Sequence, residues 1–406
     1  MRTKHLAAVA LFVAAAVVTG AASAGHTSAT AANVQSPPLA PLPAGNGAQA
    51  FAFDGRFPNV VYIASAHARG GVYVFKTIDG GQHWRATGAR GVGWESDILS
   101  LTIDPRHRGT LYAGTDTAVY KTVDGGRNWR PFRQGLFPRP HKVCFERGGG
   151  PCWKYPYYGS PGKTNWNRNN GWVLDVAVDP VHSNVVYAAA GGIRKSADGG
   201  RTWKNVFKPK LYDGVTRIAI ASTQPESIYA IVHDSAAGTS VIYKSTDSGR
   251  TWQKTGSSLP PSCCGDSQDA LAVDSENPRT VYADVGDTVF ATTDGGMTWQ
   301  PRASGLPVNS VTSLTIDPRQ SGTVYASADF SKGDKPTGGI YKTTDGGRSW
   351  TEVWSGFGVD KVALDRAHPS TIYAEGWAGR DPSQTHEIEF RVLRSTDSGL
   401  TWAIAG

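Results

Sequence analysis

Thr77-Ile78-Asp79-Gly80-Gly81-Gln82-His83-Trp84 sets a pattern, Ser/Thr-x-Asp-x-Gly-x-x-Trp, that returns at 122–129, 196–203, 245–252, 292–299, 343–350 and 395–402. Its aspartates stand at 79, 124, 198, 247, 294, 345 and 397, with gaps of 45, 74, 49, 47, 51 and 52 residues. A period of about 50 residues marks a repeat architecture, in which each unit buries its apolar face against its neighbours. The residue types describe a turn. Asp accepts hydrogen bonds from the backbone N–H groups that follow it. The Gly two residues on takes positive φ without steric cost. The Ser/Thr hydroxyl ties the far side, and the Trp opens the next strand and packs its ring under the hairpin. Seven aspartates in one turn role are scaffold rather than seven catalytic acids.

A second element precedes each turn: LSLTIDPRHRGTLY at 99–112, LDVAVDPVHSNVVY at 174–187, TSLTIDPRQSGTVY at 312–325, and relatives starting near Ala50, Thr216, Asp269 and Asp360. Each reads as an alternating apolar strand, an Asp-Pro-like turn, and a strand ending in Tyr. A third strand leads into the Asp turn and the Trp opens a fourth. Four antiparallel strands repeated seven times predict an all-β, seven-bladed β-propeller over residues 47–406, with an insertion at about 132–172. The last blade carries its own fourth strand at 402–405 and the first its own first strand near Ala50, so ring closure is expected to rest on blade packing.

The 406 residues are 39% hydrophobic and 10% aromatic, enough for a core and too apolar for global disorder. The charge of +7 comes from 41 basic and 34 acidic residues without a Lys/Arg run, which argues against a nucleic-acid partner. Arg2, Lys4 and His5, the apolar stretch 6–18 and Ala22-Ser23-Ala24 predict a secretory signal peptide over 1–24, cleaved after Ala24. The apolar stretch is too short to span a bilayer, so no stable membrane insertion is expected, and the product is expected to be secreted. Residues 25–46, with Pro37, Pro38, Pro41 and Pro43, read as a flexible linker. The four cysteines, Cys144, Cys152, Cys263 and Cys264, are expected to be oxidised outside the cell, and all three pairings remain open.

The repeated turn resembles that of the Asp-box (BNR) propellers, a family that includes sialidases, xyloglucanases, sortilin-type receptors and a photosystem II assembly factor. The resemblance covers about 47–406. It implies the propeller fold strongly and function weakly. Sialidases of this kind have six blades and a Phe/Tyr-Arg-Ile-Pro segment that is missing here, so a typical sialidase is not expected. The resemblance to xyloglucanases implies two propellers facing each other with one catalytic Asp from each, and this chain supplies only one propeller.

With the innermost strand called A, the Asp turns join C to D on the same face as the A–B turns. The D–A and B–C loops share the opposite face, where similar propellers bind ligands. The insertion adds Trp153, Trp166 and Trp172 there, suited to stacking on sugars or to an interface. The A-strand position four before the Asp-Pro site reads Ala50, Ser100, Asp175, Arg217, Ala270, Ser313 and Lys361; Glu95, Asp97, Asp213, Asp269 and Asp360 lie at the strand mouths. The position two before is small, which suits a crowded axis. A charged ring at the tunnel mouth is therefore expected. For glycoside hydrolysis, two carboxylates must flank the scissile bond. Asp175 is the first choice, held ionised by Arg217, with Asp97, Asp269 or Asp360 as its partner. Arg217, Lys361 and Glu95 would then bind substrate. His67, His233 and His386 are candidate bases for a lyase. The expected partner is a polysaccharide or a surface protein, taken by a monomer, with no cofactor and no metal site. A non-catalytic binding propeller is the alternative.

Overall fold

The computed structural model describes residues 48–405, except 55–56, 58, 67–71, 88–97, 138–171, 210–213, 235–238, 257–268, 286–287, 308–310, 330–336 and 381–387. The described residues contain 28 strands and no helix. They form seven four-stranded antiparallel sheets, each built from consecutive strands. The innermost strands are Ala48–Phe53, Ile98–Ile103, Asp175–Val178, Gly214–Ile220, Ala270–Val273, Val311–Ile316 and Gly358–Leu364, one for each of blades 1 to 7. The expected all-β, seven-bladed propeller is what the chain forms.

The Asp turn works as its residue types dictate. In blade 3, Ser196 Oγ donates to Asp198 Oδ1 at 2.7 Å and accepts the Gly200 N–H at 2.8 Å. Asp198 Oδ1 also takes the Thr202 N–H at 2.9 Å. Gly199 and Gly200 sit at φ +71° and +95°, a region that residues with a Cβ rarely enter. Burial alone would raise the Asp198 carboxyl, but hydrogen bonds from Thr202 and Ser196 overcome it and lower the value to about 2. These carboxylates are committed to their own turns.

In each blade the Asp turn is also sewn to the A–B turn, as in Gly125 N–H to Gly109 carbonyl (2.9 Å) and Gly199 N–H to Asn184 carbonyl (2.8 Å). Both turns therefore lie on one face. The ring closes by packing, as expected. Phe51, Val61 and Ile63 of blade 1 cluster with Tyr373, Val392 and Ala405 of blade 7. Trp84 Nε1 donates to the Ala405 carbonyl at 2.7 Å across this seam.

A latch that the sequence reading did not single out holds neighbouring blades together. The buried Tyr of strand B pairs across strands with a Lys or Arg of strand C: Tyr112 with Lys121, Tyr187 with Lys195, Tyr229 with Lys244, Tyr325 with Lys342. The ammonium lies over the ring, 4.8 Å from the centroid for Lys121 and 5.1 Å for Lys244. It then donates to a carbonyl in the next blade's Asp turn: Lys121 to Gly199 (3.1 Å), Lys195 to Ser248 (2.8 Å), Lys244 to Gly295 (3.0 Å) and Lys342 to Ser398 (3.0 Å).

Candidate functional site

The axis has two unlike ends. Towards the Asp-turn face it is a cavity of about 430 Å³ walled by all seven innermost strands, with the small column (Ala52, Thr102, Ala177, Ala219, Ala272, Thr315 and Ala363) among its lining. Arg366 crosses its rim to Ser222 Oγ at 3.0 Å. Towards the opposite face the strands carry the charges foreseen in the sequence.

Five innermost strands, those of blades 1, 2, 4, 6 and 7, shift register immediately before the charged column, between Ala48 and Ala50, Ile98 and Ser100, Val215 and Arg217, Val311 and Ser313, and Val359 and Lys361. Such a bulge adds one residue and re-aims the side chains beside it. Thr216, Thr312 and Asp360 are the inserted residues in blades 4, 6 and 7.

Asp175, Arg217 and Lys361 come from blades 3, 4 and 7, yet lie within electrostatic reach of one another. Asp175 is braced rather than free. Its Oδ1 takes its own blade's Val176 N–H and its Oδ2 takes the Ile218 N–H of blade 4, both at 2.9 Å. Ser313 does the same job in blade 6, accepting the Val362 N–H of blade 7 at 2.8 Å. Burial raises the Asp175 carboxyl despite Arg217. Arg217 donates to the Thr216 carbonyl at 2.9 Å. Asp269 bridges blades 4 and 5, accepting Thr216 Oγ1 at 2.5 Å and Ser240 Oγ at 3.3 Å. His233 Nδ1 stands 3.5 Å from Ser240 Oγ. Burial raises Asp269 too.

Blade 7 brings a residue that sequence reasoning missed. Glu375 of strand B faces Lys361 of strand A in register. It is 1% exposed, and among the described residues neither carboxylate oxygen has a hydrogen-bond partner. Burial, with Asp360 adding to it, pushes the Glu375 carboxyl well above the usual range. Asp360 is pushed up to about 7, by burial first and Asp329 second, while Lys361 opposes. Burial, then Arg217, pushes Lys361 down. A signal for Glu375 existed: the strand-B positions facing the charged column are Ala64, Gly114, Ala189, Ile231, Asp284, Ser327 and Glu375, so a long acid stands out among mostly small or apolar residues.

Trp172 is half-buried. The next residue, Val173, donates to the Thr115 carbonyl at 2.8 Å, at the end of blade 2's second strand away from the Asp turn. Glu95, Asp97, Trp153, Trp166, Asp213, His67, His386 and the four cysteines Cys144, Cys152, Cys263 and Cys264 lie outside the described residues.

A sortilin family model (Sortilin-Vps10; sortilin, neurotensin receptor 3) matches residues 242–403. No curated protein matches the chain. Among solved structures, the Niastella koreensis GH74 enzyme superposes with a TM-score of 0.50 at 16% identity, over 88% of this chain and 71% of that one. The Xanthomonas campestris GH74 xyloglucanase gives 0.50 at 16%, over 88% of this chain and 60% of that one, so this chain spans less than two thirds of it. A YCF48 structure bound to D1 peptide gives 0.54 at 12%, over 88% and 95%. The likeness is one of fold. Enzymes and a peptide-bound protein share this propeller, so function has to be argued from the axial site.

Proposed function

We propose that the chain is an exported, single-propeller binding protein that receives an extended peptide segment of a partner protein at the charged axial end, opposite the Asp turns. The observation that carries this reading is Glu375: a carboxylate 1% exposed, without a hydrogen-bond partner among the described residues at either oxygen, in register with Lys361. An unpartnered buried polar group is costly and calls for a partner. A peptide offers amide donors and acceptors to both signs of the ring. Catalysis is less well served. A hydrolytic pair needs carboxylates free to face the scissile bond, and Asp175 and Asp269 are engaged instead in inter-blade hydrogen bonds with the Ile218 N–H and Thr216 Oγ1. The D1 peptide held by YCF48 supports the peptide class.

The test is selection of a phage-displayed random-peptide library on the immobilised protein. Enriched peptides should bind Glu375→Gln and Lys361→Met at least tenfold more weakly. Enriched peptides indifferent to both substitutions would remove the reading. Export is tested by N-terminal sequencing of the released protein, expected to begin at Gly25.

A second reading, glycan hydrolysis, is favoured by Asp360, whose value near 7 suits a proton donor. It predicts new reducing ends from a polysaccharide panel, lost in Asp360→Asn.

A further inference from the structure

The Tyr–cation latch fails in one blade. In blade 5 the buried Tyr282 faces Ala291, not a lysine. The neighbourhood is otherwise conserved in kind. Lys121 feels Asp104, Asp198 and Arg201, the last being the third residue after the Asp of the next turn. Tyr282 feels Asp274, Asp345 and Arg348, the corresponding three, with Arg302 in addition. The butylammonium arm is gone, and Arg302 stands beside Tyr282 as a cation with no counterpart beside Lys121 or Lys195. A Cβ placed on Gly199 or Gly295 would meet a lysine Nζ at 2.9 or 2.7 Å; at Gly346, the matching glycine of blade 6, it meets only Tyr282 Oη at 3.4 Å. Lys244 Nζ donates to the Gly295 carbonyl at 3.0 Å, whereas blade 5 has Ala291 at the matching position and so no such arm to reach Gly346.

The missing arm coincides with a cavity of about 400 Å³ between blades 5 and 6, lined by Tyr282, Ala291, Arg302, Thr344, Gly346 and Arg348 among others. The geometry points to this cavity as a binding site for a primary alkylammonium group, which takes the place that a lysine of the chain itself fills elsewhere. Its methylenes lie along Tyr282, its charge faces the ring, and its N–H groups donate to the Gly346 carbonyl. Arg348 repeats a relation that Lys121 and Lys195 tolerate with Arg201 and Arg250, whereas Arg302, which donates to Gln300 Oε1 at 2.7 Å, is an added cation that weakens the site. The group can come from a free alkylamine or from a lysine side chain of a partner. This site is separate from the axial ring, and its fate does not depend on that reading.

The test uses the intact protein and n-butylammonium chloride, with sodium chloride at equal ionic strength and 1-butanol as the uncharged control. A ligand this small should bind with a dissociation constant on the order of millimolar. Thermal unfolding should show a saturable rise in melting temperature with butylammonium and none with butanol. Ala291→Lys should melt higher without ligand and lose the response. Ala291→Met, which fills the space without the charge, should lose it too and covers the case in which the lysine variant does not fold. A Gly-Lys-Gly peptide amide binding at least tenfold more tightly than butylammonium assigns the site to a polypeptide partner; equal affinity assigns it to free amines. An unaltered response in a folded Ala291 variant, an equal response to butanol, or no response in the parent protein overturns the proposal.

Discussion

Asp175 in blade 3 accepts the backbone N–H of Ile218 in blade 4 at 2.9 Å, a bond between neighbouring blades made at the axis. The same contact in the next-but-two seam is made by a serine, Ser313 to Val362 at 2.8 Å. A residue that sequence chemistry nominates as a catalytic acid therefore has the geometry of a brace. Asp175→Ala leaves two backbone donors, Val176 and Ile218, without acceptors and should cost about 2–3 kcal/mol in urea unfolding. Asp175→Ser should recover part of that loss, as the blade 6 arrangement shows a hydroxyl suffices for the inter-blade bond. Equal losses for the two variants would argue that the brace is not what Asp175 contributes.

Asp360 gives a pH signature. Its carboxyl rises from an ordinary 3.8 to about 7, so between these values the folded protein holds a proton that the unfolded chain has released. Stability then falls as pH rises through this window and is greatest, for this group, below about 4. The Asp turns act oppositely. Asp198 is lowered to about 2, so its contribution is present above about 4 and is lost as pH falls towards 2. Unfolding free energy against pH should therefore peak in the mildly acidic range. Asp360→Asn should flatten the descent between pH 4 and 7, on the order of 2 kcal/mol. A parallel curve for the variant would mean that another group titrates.

The latch should be measurable one blade at a time. Lys244 lies over Tyr229 and donates to Gly295 of blade 5 at 3.0 Å. Lys244→Ala should lower stability by about 1–2 kcal/mol, combining a cation–π contact with a charge-assisted hydrogen bond. Lys254→Ala, on an exposed edge of the same blade, serves as the neutral comparison in denaturant titrations.

Gly135 follows the last strand of blade 2 at φ +79°, and a Cβ there would stand 2.1 Å from the Trp203 carbonyl of blade 3. Gly135→Ala should cost at least about 2 kcal/mol by clash and backbone strain together. Calorimetry showing an unchanged melting point would contradict the close approach of these two blades.

The blades were legible in the sequence because their determinants are local. Asp198 finds Ser196 and Thr202 within four residues, so the turn is written where it forms. The charged column was legible because strands alternate with period two. Glu375 was not, because its meaning depends on the register that sets it opposite Lys361, 14 residues away. The bulges escaped for a related reason: one inserted residue, such as Asp360, leaves an apolar run that still reads as an ordinary strand. The latch lysines carry no local signal of their role. Their partners, such as Gly199 for Lys121, belong to another blade and lie 78 positions away in the sequence.

The central claim, that the charged axial end is where this propeller meets its partner, is tested most directly by hydrogen–deuterium exchange with and without a selected peptide. Slowed exchange in the segments 358–364 and 372–376 is the predicted result. Protection confined to the Asp turns, such as 196–203 and 343–350, with the axial strands unchanged, would contradict it.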